Sequence, residues 1–154
     1  MTIQYLKGDA TVPQAAGPKV IAHICNDRGG WGKGFVLAVS KRWKEPELYY
    51  RRWYASKEDF GLGEIQVVEV RHDMWVANMV AQYGYKVGSK GPPIRLDALR
   101  TCLRRLAGEA KFLKASVHMP RIGTGLAGGK WDDIGPMVER ELSDLDVYVY
   151  DFGG

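Results

Sequence analysis

Polar and apolar residues alternate over 2–6 (TIQYL), the period of a short half-buried strand. Residues 19–25 (KVIAHIC) are almost all apolar and rich in β-branched side chains, which predicts a strand buried on both faces. The period then changes. Phe35, Val39 and Trp43 recur every four residues, predicting a helix over 34–43. A second helix is expected over 45–58, with Pro46 in its first turn. Two strands follow, 63–71 and 74–82, with only His72 and Asp73 between them, as in a hairpin. Leu96, Leu99, Leu103 and Leu106 form one face of a long helix over 93–113. A strand at 116–120, a helix at 130–144 and a final strand at 145–152 complete the pattern. The order β β α α β β α β α β predicts one α/β domain over 1–154, with parallel pairing across its β-α-β steps.

Glycine departs from ordinary composition, at 19 of 154 residues against about 7% on average. Eight of them fall in two seven-residue windows, 28–34 and 123–129. Each window follows a predicted strand and precedes a predicted helix. A helix amino terminus offers unpaired N–H groups and partial positive charge. A glycine-rich approach lets an anion reach them without meeting a Cβ. Two such loops at the carboxyl ends of strands suit two linked phosphates, although the glycines could also serve tight turns alone. GTGLAG (123–128) matches the dinucleotide pattern only formally, because too little chain follows for the acidic strand that pattern needs. Lys130 followed by Trp131 does not fit a nucleotide-triphosphate loop.

A net charge of +4 suits an anionic ligand. Cys25 and Cys102 belong to no CxxC pair and read as buried thiols in a reducing, cytoplasmic setting. No stretch has the roughly 20 apolar residues of a membrane span. His23, His72 and His118 lack clustered partners at ligand spacing, so neither a metal nor another cofactor is expected. Asp132 and Asp133 read either as an acid pair or as dipole partners in a first helical turn. Residues 41–57 mix basic and aromatic side chains, which fits nucleic-acid contact or simply an amphipathic helix. The Gly/Pro-rich segment 84–93 reads as a flap or a surface connection. Tyr148, Tyr150 and Phe152 share a strand face that either packs in the core or stacks on a base.

Four segments in order, YLKGDAT (5–11), AHICNDRGGWGKG (22–34), MPRIGTGL (119–126) and VYVYDF (147–152), resemble a macrodomain. The likeness is greatest to the branch containing the terminal ADP-ribose protein glycohydrolases. It implies a mixed central sheet sandwiched between helices, binding ADP-ribose. By position, Asp9 with Ala10 would receive the adenine amino group. Gly32, Lys33, Gly34 and Phe35 would form the first loop, near the diphosphate and distal ribose. Gly123, Thr124, Gly125, Leu126 and Ala127 would form the second, donating N–H groups to phosphate. Tyr150 and Phe152 would lie near the adenine, and Asn26 beside the distal ribose.

The branch uses a nucleophilic lysine and a second-loop aspartate, and this chain has Gln82 and Ala127 at those positions. The expected activity is therefore removal of mono-ADP-ribose from glutamate or aspartate esters, by positioned water or with help from the substrate's phosphate. Asn26 and Gln82 are the expected catalytic pair. A non-catalytic reader of ADP-ribose and a hydrolase of small ADP-ribose derivatives are the alternatives. The expected partners are ADP-ribose and mono-ADP-ribosylated proteins, met by a monomer.

Overall fold

The computed structural model describes residues 3–84 and 93–152. Its elements are β1 (Gln4–Lys7), β2 (Lys19–Asn26), α1 (Phe35–Arg42), α2 (Glu45–Ser56), β3 (Ile65–Arg71), β4 (Met74–Gln82), α3 (Leu96–Leu113), β5 (Ser116–Met119), α4 (Trp131–Glu141) and β6 (Val147–Asp151). A single 3-10 turn, Gly125–Ala127, precedes α4. The segment 84–93, read as flap or connection, falls mostly outside the described residues.

One mixed sheet runs in the order β1-β6-β5-β2-β4-β3. Every neighbouring pair is parallel except β3 with β4, so the predicted hairpin is the one antiparallel step. The carboxyl ends of β1, β6, β5, β2 and β4 therefore share one edge.

β2 lies mid-sheet, and its period of two feeds two cores. Val20 and Ala22 join a cluster with Leu99, Leu103 and Leu106 of α3 and Ile134 and Val138 of α4. Ile21 and Cys25 face the other way, toward Trp31, Val36, Val39 and Tyr50. The result is the expected helix–sheet–helix sandwich, with α1 and α2 on one face and α3 and α4 on the other.

The expected start of α3 at residue 93 is corrected to Leu96. Ile94 N–H donates to Ala127 O at 3.1 Å and Arg95 N–H to Ala81 O at 2.8 Å. These tertiary bonds hold 94–95 extended, so the segment splices β4 to the second glycine loop. Leu96 is accordingly exposed rather than part of the leucine face.

Candidate binding cleft

The shared edge carries a cleft of about 720 Å³ between the loop after β1, the outer face of α1 and the end of β6. It brings together Asp9, Ala10, Gly34, Phe35, Tyr150 and Phe152 of the predicted residues. Lys41 and Arg42, one and two turns beyond Leu37 and Phe35 on α1, also line it. The sequence reading missed them because basic residues in a last helical turn already have a reason to be there, the helix dipole. Their spacing from Phe35 and Leu37 along one helix face was the available signal.

Asp9 opens a tight turn: its Oδ1 accepts from Thr11 N–H at 2.8 Å and Thr11 Oγ1 at 2.7 Å. Its Oδ2 lies 3.8 Å from the Arg42 guanidinium. Arg42 Nε also donates to Thr11 Oγ1 at 2.7 Å, so the cation is braced against that turn.

Tyr150 is both core and wall. It is buried, and its hydroxyl accepts from Gln14 N–H at 2.8 Å. The same hydroxyl lies 2.8 Å from His118 Nδ1, and His118 Nε2 lies 2.8 Å from Ser116 Oγ. Burial and the nearby Lys19 charge push the His118 pKa down to about 4. The ring is thus neutral, and because Ser116 Oγ donates to Pro18 O at 3.4 Å, Nε2 donates to Ser116 and Nδ1 accepts from Tyr150. Tyr148 stacks on this imidazole at 4.8 Å, so it serves the core, whereas Phe152 is exposed. Arg121 and Asp151 form a two-point ion pair at 2.6 and 3.1 Å beneath this end, and each shifts the other's pKa toward the charged form.

The first loop, 27–34, is tied by side chains. Asn26 Oδ1 accepts from Arg28 N–H at 2.8 Å and Gly30 N–H at 3.1 Å, while its Nδ2 donates to Gly30 O at 3.1 Å. Tyr50 OH donates to Asn26 O at 2.5 Å and accepts from Gly29 N–H at 3.2 Å. Arg51 donates to Gly29 O at 2.9 Å. The Asn26 amide is thus engaged with the loop backbone.

Gln82 is paired in register with Asn26 across a bulge at the ends of β4 and β2. Its Nε2 donates to Gly84 O at 2.9 Å. Asp27, which sequence reading passed over, donates its N–H to Gln82 O at 2.9 Å and accepts from Gly84 N–H at 2.8 Å.

α1 begins at Gly34 with no capping side chain and no acid in its first turn. The second loop winds into the Gly125–Ala127 turn, also without a side-chain cap. α4 follows that loop as expected, starting at Trp131 and carrying Asp132 and Asp133 in its first turn. Gly128 and Gly129 break the chain between the two.

A Cβ on Gly123 would meet Ile134 Cδ1 at 2.7 Å, and one on Gly129 would meet Gly123 O at 2.5 Å. A Cβ on Gly32 or Gly125 would meet nothing within 4 Å. Some glycines are therefore demanded by packing, and others face open space. Asn26, Gln82, Gly32, Lys33 and the second loop lie outside the lining of the 720 Å³ cleft. They occupy the same sheet edge, over β5, β2 and β4. Three strand spacings, about 14 Å, separate the β6 end from the β4 end.

No family model matches the chain. Its structure is similar to that of a Bacteroides thetaiotaomicron protein of unknown function, at TM-score 0.96 and 56% identity over 98% of each chain. A macrodomain protein from Streptomyces coelicolor matches at TM-score 0.88 and 50% identity, over 98% of this chain and 99% of that one. Thermosipho africanus DarTG in complex with ADP-ribose shares the fold at TM-score 0.72 and 19% identity, over 87% of this chain and 38% of that one. In sequence, the Mus musculus chromodomain-helicase-DNA-binding protein 1-like is 32% identical over 98% of this chain, which spans only 18% of that relative's length. An uncharacterized 17.5 kDa protein of enterobacteria phage T4 is 30% identical over 99% of this chain and 97% of its own. The ADP-ribose 1''-phosphate phosphatase of Lodderomyces elongisporus is 26% identical over 98% of this chain and 100% of its own.

Proposed function

This chain belongs to the macrodomain family, and from that footing we propose that it binds ADP-ribose along the sheet edge and hydrolyses the bond at the anomeric carbon of the distal ribose. The observation that carries this reading is the order of features along the edge. Asp9, Tyr150 and Phe152 stand at one end, two uncapped backbone turns in the middle, and the Asn26–Gln82 pair at the other. A molecule with an aromatic base, an anionic centre and a reactive sugar has that same order.

The leaving group we assign is a glutamate or aspartate carboxylate of a mono-ADP-ribosylated protein. Water adds at the anomeric carbon, the ester C–O bond breaks with its electrons going to the carboxylate, and the water's proton passes to the substrate phosphate or solvent. A carboxylate, with pKa about 4, departs without a strong general acid. That suits a site with Gln82 and Ala127 where the related branch has lysine and aspartate. Asn26 contributes by holding the loop that cradles the diphosphate, and Gln82 by orienting water or a ribose hydroxyl.

A phosphate leaving group is the second reading, favoured by the full-length likeness to ADP-ribose 1''-phosphate phosphatases. The test is one competition assay in which glutamate-linked, serine-linked and 1''-phosphorylated ADP-ribose are each followed for release of ADP-ribose. Glutamate-linked substrate is expected to be cleaved and serine-linked substrate spared. Release from the 1''-phosphate alone would replace the ester reading. Tight binding with no release from any substrate would make the protein a reader.

A further inference from the structure

The base-binding wall and the second glycine loop leave the sheet on neighbouring strands and then part. β5 and β6 pair in register at Val117–Val147, His118–Tyr148 and Met119–Val149, and the register ends there. Pro120 follows, and it has no N–H to extend the ladder. Beyond that point β6 stays paired with β1, through Leu6–Tyr150 and Lys7–Asp151. The chain after β5 turns instead into the loop, where Arg121 O accepts from Thr124 Oγ1 at 2.7 Å.

A side-chain pair spans the gap. Arg121 and Asp151 stand where the same register would next bring the two chains together, two residues beyond Met119 and Val149. Their two-point ion pair ties the segments where the backbone bonds stop. The guanidinium also lies 5.1 Å from the Tyr5 ring and 5.4 Å from the Trp131 ring, and Trp131 Nε1 donates to Tyr5 OH at 3.0 Å. Tyr5 belongs to β1, and Trp131 opens α4 just after the loop. One cation therefore joins β1, the end of β6 and both ends of the second loop. An exposed ion pair alone contributes little. A bidentate guanidinium held against two rings has a fixed geometry that a single contact lacks. Neither Arg121 nor Asp151 lines the cleft, whereas their chain neighbours Pro120, Tyr150 and Phe152 do.

Resting on the ADP-ribose reading above, we infer that Arg121 is a positioning residue: through Asp151 it fixes the spacing between the wall that takes the base and the loop that takes the diphosphate. Each part keeps its own shape without it. Tyr150 is pinned by Gln14 and His118, and the loop by its backbone bonds. The brace sets their separation, which only a ligand touching both parts can sense.

The test compares ADP-ribose, which spans both parts, with adenosine, which reaches only the wall. Calorimetry would follow the first and ligand-detected NMR the second. The proteins are the intact chain, Arg121→Gln, Arg121→Lys, Asp151→Asn and the Arg121→Gln/Asp151→Asn double variant. Arg121→Gln should weaken ADP-ribose at least tenfold and leave adenosine within twofold. Arg121→Lys should recover only a minor part of that loss, because an ammonium neither pairs at two points nor lies flat against the rings. Asp151→Asn should also weaken ADP-ribose, and the double variant should fall within twofold of the poorer single one, since both remove one link. Tighter ADP-ribose binding by Asp151→Asn would mean that Arg121 serves the ligand's phosphate directly, and would overturn the brace. Equal losses for adenosine and ADP-ribose, additive losses in the double variant, or unchanged ADP-ribose affinity in Arg121→Gln would overturn it too. Should Arg121→Gln fail to fold, Arg121→Lys and Asp151→Asn carry the same comparison. If ADP-ribose does not bind the intact chain, the parent reading falls, and the positioning role with it.

Discussion

The two glycine loops look alike in sequence and are built differently. The loop after β2 is held from outside, by the Asn26 amide, the Tyr50 hydroxyl and the Arg51 guanidinium. Even its packed glycine, Gly29, is pressed against a side chain, the Tyr54 ring. The loop after β5 is held by backbone: Gly129 N–H donates to Gly123 O at 2.8 Å, Gly128 N–H to Gly125 O at 3.0 Å, and Ile94 N–H to Ala127 O at 3.1 Å. Gly123 and Gly129 back onto Ile134 and Ile94 of the core, and Gly123 onto Ile24 as well. One loop can be loosened in steps, contact by contact. The other is a steric closure that either fits or does not.

The largest effect should come from breaking that closure. Gly129→Ala puts a Cβ 2.5 Å from a backbone oxygen that cannot move without opening the loop. We expect a loss of about 3 kcal/mol in denaturant unfolding, at the upper end of overpacking costs. A loss under 1 kcal/mol would mean the second loop yields as readily as the first.

Acid should act on the first loop through His23. This buried imidazole lies beneath Trp31 and Phe35, and its Nε2 donates to Asn78 Oδ1 at 2.6 Å. Its Nδ1 has no hydrogen-bond partner. Burial pushes its pKa down to about 4, below the ordinary 6.5. The unfolded chain therefore binds the proton more tightly, and stability is whole above pH 6.5. It drains as pH falls toward 4, by on the order of 2–3 kcal/mol for this group, and His118 adds a loss of the same sign. Urea midpoints taken between pH 7 and 4 should fall, and His23→Gln should flatten the slope. An unchanged slope would remove His23 from the account.

Tyr50→Phe should be the mildest. It deletes one buried hydroxyl that serves Asn26 and Gly29, at a cost of about 1–2 kcal/mol. ADP-ribose affinity should drop severalfold as the first loop relaxes. Unchanged affinity with lowered stability would show that the loop keeps its shape on its remaining ties.

Much of this was legible in the chain, and what was not has identifiable causes. The strand–glycine–helix join at Asn26–Phe35 could be read because its flanks change period sharply, from buried strand to amphipathic helix. The Gly125–Ala127 turn could not: four glycines in seven residues leave no period to follow, and the turn is made by backbone bonds. Pro93 to Arg95 read as helix because the leucine face begins at once, whereas partners on β4 and the second loop pull the segment straight. Asn26 was readable as a polar residue at a strand end but not as the peg of a loop, because its partners lie on the backbone of residues 28 and 30. Tyr150 left core and cleft as alternatives, and the structure makes it part of both.

The placement of β6 between β1 and β5 has a consequence in time. β1 pairs with no other strand among the described residues, and Gln14 reaches the Tyr150 hydroxyl across a separation of 136 residues. A growing chain can complete β2, β4 and both glycine loops while β1 still waits for its neighbour. Contacts this distant are the slowest to form. The wall that carries Asp9 should therefore assemble last, so a nascent chain would hold its loops in shape before the cleft beside them has its second side.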